Sequence, residues 1–189
     1  MVSWSWIACA CSAALVLSGC GASKSLPILG SVPPFALTAQ DGSSFDSRVL
    51  DNKVWVADFI FTNCPGPCPR MTSQMRRIHL SLGSERDLKL VSFTIDPNRD
   101  TPQVLREYAD KFHADSAQWS FLTGPVPTLH HLSRDVFMLG DIDGTTFEHS
   151  TRFMLVDRKG RIRGAYITSE PEVIPHLIDD IKLLLKEPR

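Results

Sequence analysis

A chain of 189 residues with 43% hydrophobic and 22% charged side chains can bury one sizeable core but is too short for two comfortable domains. Its formal net charge is −1 and its 20 Lys and Arg are scattered rather than clustered, which excludes a nucleic-acid footprint and a broad anionic-lipid surface. It carries no low-complexity tract and no internal repeat.

The first nineteen residues, "MVSWSWIACACSAALVLSG", contain no charged side chain and lead into Cys20. An apolar stretch that ends in small residues has the physics of a secretory signal. Leu17-Ser18-Gly19-Cys20 resembles the bacterial lipoprotein box, in which the cysteine is lipidated and becomes the first residue. Residues 1–20 are therefore expected to form a lipoprotein-type signal segment ending at the lipidated Cys20, and the protein to be an extracytoplasmic, membrane-anchored bacterial lipoprotein. The alternative is an uncleaved anchor, because about 18–20 apolar residues can span a bilayer and no basic residue precedes this stretch. Either way the rest of the chain lies outside the cytoplasm. Cleavage would remove Cys9 and Cys11, so the mature domain keeps Cys64 and Cys68 as one pair. In an oxidising compartment such a pair closes to a disulfide unless something holds it open.

Residues 21–34, rich in Gly, Ser and Pro, read as a linker, and residues 35–189 as one domain. "FALTAQDGSSFDS" predicts a hairpin turning at Asp41-Gly42. "KVWVADFIF" is a near-continuous apolar run, the mark of a central strand covered on both faces. "PRMTSQMRRIHLSLG" predicts a helix stopped by Gly83. "LKLVSFTI" predicts a second buried strand, and Asp100 or Thr101 caps the next helix with Pro102 in its first position. "WSFLTG" predicts a strand, "PVPTLHHLSRDVFMLG" a helix closed by Gly140, and "HSTRFMLVD" with "RIRGAYIT" a hairpin. A last helix is expected near 171–186. This order specifies an α/β domain with a central mixed sheet flanked by helices and an N-terminal β-hairpin. With two cysteines at the first strand-to-helix junction, the expected fold is thioredoxin-like.

A helix N-terminus offers unpaired N–H groups and partial positive charge, so a thiol there is expected to ionise more easily. Pro65, Pro67 and Pro69 stiffen the loop and strip it of donors, which suits sulfurs whose electrons go to a metal. The spacing C-x-x-x-C is one residue wider than the usual redox pair, and alone it leaves metal site, redox couple and structural disulfide open. A third ligand discriminates. His130 and His131 diverge on one helix, and His79, His113 and His176 sit in polar helical contexts. His149 opens the strand whose start is expected to face the cysteines, where thioredoxin-type oxidoreductases carry a cis-proline; the chain has no proline between Pro127 and Pro171. Two thiolates and one imidazole form a soft three-ligand set that favours copper, Cu(I) above all, over zinc.

The segments "ADFIFTNCPGPCPRM", "SFTIDPNRDTPQVLREYA", "WSFLTG" and "HSTRFMLVDRKGRI" together resemble the Sco/SenC family of copper-binding, thioredoxin-like proteins, from about Phe35 to Lys186. The resemblance implies a copper site, Cu(I) or Cu(II), at Cys64, Cys68 and His149. It also implies a role in metallating, or reducing the cysteines of, the CuA centre in cytochrome c oxidase subunit II. The chain departs from the family in its charge-free start and in a short loop ahead of His149. Asp58, Asp96, Arg99 and Asp100 also match the family. Asp58, in an apolar strand, is costly unless paired, and either tunes the site or is ordinarily hydrogen-bonded. Asp96, Arg99 and Asp100 are explained as turn and cap residues. Met71 and Met75 share a helical face and read as core.

The leading expectation is a monomeric copper metallochaperone rather than an enzyme, tethered by lipid, with an oxidase subunit or another copper protein as partner. The alternatives are a thiol–disulfide oxidoreductase working through Cys64 and Cys68, and a redox or copper sensor.

Overall fold

The computed structural model describes Met1, residues 25–139 and residues 151–188. The signal segment with Cys20, the start of the linker, and His149 lie outside the described residues. No helix among the described residues is long and apolar enough to cross a membrane.

Among the described residues one eight-stranded mixed sheet organises the domain. Its strands are β1 (Gly30–Ser31), β2 (Ala36–Ala39), β3 (Ser44–Asp46), β4 (Val54–Ile60), β5 (Leu88–Thr94), β6 (Trp119–Thr123), β7 (Arg152–Val156) and β8 (Arg161–Ile167), in the spatial order β1-β8-β7-β4-β5-β6-β2-β3. β4, β5 and β6 are parallel, and the remaining pairs are antiparallel. All seven residues of β4 are buried, as expected for a strand covered on both faces. The predicted hairpin is β2–β3, with Thr38 opposite Ser44 and Gly42 at a φ of 84° that only glycine adopts without strain.

The helices are α1 (Cys68–Leu82), α2 (Pro102–Lys111), α3 (Val126–His130) and α4 (Val173–Lys186). α1 begins on Cys68 with Pro69 in its first turn. Thr101 caps α2 by accepting from the Val104 amide at 3.3 Å, so the cap is Thr101 and not Asp100. Gly83 ends α1 for want of space rather than for its φ of −63°, because a Cβ there would lie 2.9 Å from the His79 carbonyl oxygen.

Side chains alternate across β4. Trp55 and Phe59 face a layer of rings in which both pack edge-on to Phe137 and Phe59 stacks on Phe93 at 4.9 Å. Val54, Val56, Asp58 and Ile60 face the opposite side, where α1 packs against α4. There Tyr108 of α2 meets Phe121 of β6 edge-on.

Two features depart from the sequence expectation. The helix predicted over 125–140 is α-helical only to His130 and continues as a π-helical turn through Val136, where the Phe137 amide donates to Leu132 O at 2.9 Å. That wider turn delivers Phe137 to the rings of β4 and β5. It ends at Met138, with φ of 53°, before Gly140. The stretch expected as linker, 21–34, is partly built into the sheet: β1 pairs with β8, and Arg163 donates to the carbonyls of Leu26 (2.7 Å) and Pro27 (3.0 Å).

Candidate metal centre

β4 ends at Ile60, and the chain turns through Phe61, Thr62 and Asn63 to reach Cys64. Cys68 then opens α1. Pro65 and Gly66 lie exposed between two cysteines that are themselves nearly enclosed, with Cys64 7% exposed and Cys68 not at all. Both are free thiols, and their side chains lie within hydrogen-bonding reach of each other.

The electrostatics of Cys68 run against the sequence expectation. Its thiol is pushed well up from its ordinary value, chiefly by burial and further by Cys64 and Asp58. A backbone hydrogen bond from Phe61 pulls the other way without offsetting this. The helix N-terminus is present, but loss of hydration outweighs it, because the Cys68 side chain points into the core although Pro69 and Arg70 beside it are exposed.

Asp58 lies fully buried under the pair, and among the described residues neither carboxylate oxygen has a hydrogen-bond partner at close range. Burial raises its carboxyl to about 7. Ser92, directly across in the β4–β5 register, pulls the other way; its Oγ accepts from Trp119 Nε1 at 3.0 Å, which leaves the hydroxyl proton free to turn towards Asp58. The cost of burying this carboxylate, legible in the sequence, is thus met by protonation rather than by pairing.

Sequence reasoning missed Tyr108. Thr72, one turn after Cys68, donates to the Cys68 carbonyl at 2.9 Å. Its single proton is spent there, so the 3.0 Å contact with Tyr108 must have the tyrosine hydroxyl as donor. Burial raises the Tyr108 phenol most; the hydrogen bond with Thr72 pulls the other way, and Cys68, Asp58 and Cys64, once ionised, would raise it further. A threonine four residues into a helix and a tyrosine on the next helix gave no joint signal, since 36 residues separate them.

Met71 and Met75 are fully buried core residues, as expected. Arg99 pairs with Asp96 at 3.7 Å. His79 bonds Gln118 and His131 bonds Asp135, neither meeting the cysteines. Among the described residues no three His, Cys, Asp or Glu side chains come together as a metal-holding group. The antiparallel register sets Trp55 opposite Val156 and Ala57 opposite Met154, so β7 runs back from the Ile60 end of β4. The start of β7 therefore lies at the end of the sheet from which the chain runs to Cys64. A cleft of about 360 Å³, lined by Phe35, Arg48, Trp55 and Lys159 among others, opens at the opposite end of β4 and has no part in this site.

The family model described as SCO1/SenC matches residues 29–186. The chain belongs to the SCO1/SenC family. Its fold is accordingly thioredoxin-like, with a mixed sheet flanked by helices. Among solved structures it is similar to a SCO1/SenC family lipoprotein from Bacillus anthracis, at 33% identity and a TM-score of 0.75 over 83% of this chain and 96% of that one. It is also similar to BsSco, a member of the Sco family of cytochrome c oxidase assembly proteins in which a disulfide switch was identified; the match has 28% identity, a TM-score of 0.75 and coverage of 87% and 100%. Yeast Sco1 with copper bound matches at 26% identity and a TM-score of 0.63, over 82% of this chain and 94% of that chain.

Proposed function

We propose that this SCO1/SenC protein is a copper metallochaperone that holds one copper ion through Cys64, Cys68 and His149. Its task is to pass that ion on for assembly of the CuA centre of cytochrome c oxidase. The observation that carries the reading is a pair of unbridged thiols, in contact with each other, beneath an exposed proline loop. Their donor chemistry fits a soft ion such as Cu(I), which selects thiolate and imidazole. Yeast Sco1 has been solved with copper bound, and BsSco is a cytochrome c oxidase assembly protein; both likenesses support the reading.

His149 supplies the third ligand in this proposal. It precedes Arg152 by three residues, a span of at most about 10 Å, and Arg152 stands at the cysteine end of the sheet. Asp58 contributes from below. With a pKa of about 7 it can hold or release a proton as the thiols above it ionise, and so balances charge in the dry base of the site. Because a thiol must shed its proton to bind metal, copper uptake by Cys68 strengthens as pH rises. The lipid anchor at Cys20 belongs to the same proposal and keeps the domain at an extracytoplasmic membrane surface, as the likeness to the B. anthracis lipoprotein supports.

A second reading, a thiol–disulfide oxidoreductase or sensor, is favoured by the contact between the two thiols and by the disulfide switch of BsSco. Dithiol and disulfide are then two states of one site, and the disulfide excludes copper.

An anaerobic Cu(I) competition titration on the reduced protein separates these readings. The expected result is one copper per chain, weakened at least ~100-fold in Cys64→Ala and Cys68→Ala and ~10–100-fold in His149→Ala. Undiminished affinity in His149→Ala would refute the three-ligand site. Absence of tight copper in the wild type would leave the dithiol chemistry as the function.

A further inference from the structure

The sequence explains Asp100 as a turn or cap residue, and the structure gives it different work. Its carboxylate, 1% exposed, does not cap α2, which Thr101 does. Instead Asp100 Oδ1 accepts from Thr62 Oγ1 at 2.5 Å, and Oδ2 accepts from the Thr62 amide at 3.2 Å and from Thr94 Oγ1 at 2.5 Å. Thr94 Oγ1 in turn accepts from the Asp96 amide at 2.9 Å, and the Asp100 amide donates to Asp96 O at 2.9 Å. The loop after β5 is thus locked, and it presents a buried carboxyl group to the residue two places before Cys64.

The two cysteines are anchored differently. Cys68 is fixed by helix α1 and by Thr72 on its carbonyl, so closing a disulfide requires Cys64 to move. The amide of Cys64 has only a long bond, 3.4 Å, to Phe61 O. The firm tie on this side is Thr62, held twice by Asp100. That tie reaches Cys64 through Asn63 alone, and Pro65 stiffens the chain on the far side of Cys64.

We propose that Asp100, acting through Thr62, is the positioning residue that holds Cys64 in the open dithiol arrangement and so keeps the pair available to a metal. The clamp is formed with both cysteines as free thiols; in this proposal it loosens when Cys64 moves to close on Cys68, and so favours the dithiol. This rests on the copper reading above for its purpose, but the positioning itself is testable without copper.

The test uses the full-length protein in detergent. Its cysteine pair is equilibrated with glutathione: Cys64 and Cys68 lose two electrons and two protons to glutathione disulfide, which becomes two glutathione thiols as the Cys64–Cys68 bond forms. In Thr62→Val, which keeps the amide bond to Asp100 and loses the hydroxyl one, the equilibrium is expected to move about tenfold towards the disulfide, equivalent to about 30 mV for two electrons. Asp100→Asn is expected to move it at least as far, and Thr62→Ser to restore the wild-type value. Cu(I) affinity should fall in parallel in Thr62→Val.

An unchanged equilibrium in Thr62→Val, a shift towards the dithiol, or an equal shift in Thr62→Ser overturns the proposal. Should Asp100→Asn fail to fold, the two Thr62 variants still decide. A wild type that binds no Cu(I) while the equilibrium shifts as expected would refute the chaperone reading and leave the clamp standing.

Discussion

Replacing Asp58 with asparagine tests the account of the buried carboxylate most directly. Folding raises its pKa from 3.8 to about 7, so over that interval the native state binds a proton the unfolded state has lost. Stability contributed by such a group is fully present below pH 3.8 and is lost as pH rises through about 7. At 1.36 kcal/mol per unit, the shift of about three units is worth about 4 kcal/mol in total. Between pH 5.5 and pH 8 the part still to be lost is about 2 kcal/mol. An asparagine side chain has the same shape and no charge to desolvate, so Asp58→Asn removes the loss while every other titration stays in place. Urea unfolding of the reduced, metal-free wild type and variant at the two pH values measures it. The wild type is expected to lose about 2 kcal/mol more than the variant on going to pH 8. Parallel pH profiles, or a wild type that gains relative to the variant, would show that Asp58 is hydrated or paired in solution and would refute the reasoning.

Two further substitutions test the frame around the site. Arg163, 5% exposed, bonds Asp157 at 2.8 Å, Glu187 at 3.1 Å and the Leu26 carbonyl at 2.7 Å. Arg163→Met is expected to cost about 3–5 kcal/mol, because Asp157 stays buried with only Arg161 to balance it. The cost is read by urea unfolding, with faster amide exchange at residues 26–31; a loss under ~1 kcal/mol would argue against the network. Gly83→Ala places a Cβ 2.9 Å from a backbone oxygen, so it is expected to lower stability by about 1 kcal/mol despite the better helix propensity of alanine. An unchanged or raised melting temperature would show that α1 ends by some other constraint.

Much of the architecture was legible because its causes are local. The apolar runs of β4 and β5, the Thr101-Pro102 start of α2 and the Asp41-Gly42 turn each carry their signal within a few residues. β1 was not legible: Gly30 and Ser31 have no strand pattern of their own, and they pair because β8 offers an edge and Arg163 holds the preceding carbonyls. The π-helical turn was equally silent, since its reason is the fit of Phe137 against Trp55, Phe59 and Phe93. The acidity of Cys68 escaped the sequence for a related cause. The helix N-terminus can be read from sequence, whereas the burial of the Cys68 side chain beneath that surface turn cannot.

The two aspartates beside the cysteines show where sequence reasoning about a site reaches its limit. Asp58 and Asp100 are both essentially without solvent, and both look costly by composition alone. Asp58 faces a strand register that offers Ser92 and no second donor, so its carboxyl solves the problem by keeping a proton up to about pH 7. Asp100 receives three hydrogen bonds from Thr62 and Thr94, and serves instead as a fixed anchor. The difference lies in donors as far as 38 residues away for Asp100 and in their absence for Asp58. Chemistry follows from that difference. An unpaired buried acid can exchange a proton with the thiols above it, whereas a saturated one can only hold their loop in place. A swap of roles is therefore excluded: neutralising Asp58 should change how the site responds to pH, and neutralising Asp100 how readily Cys64 closes on Cys68.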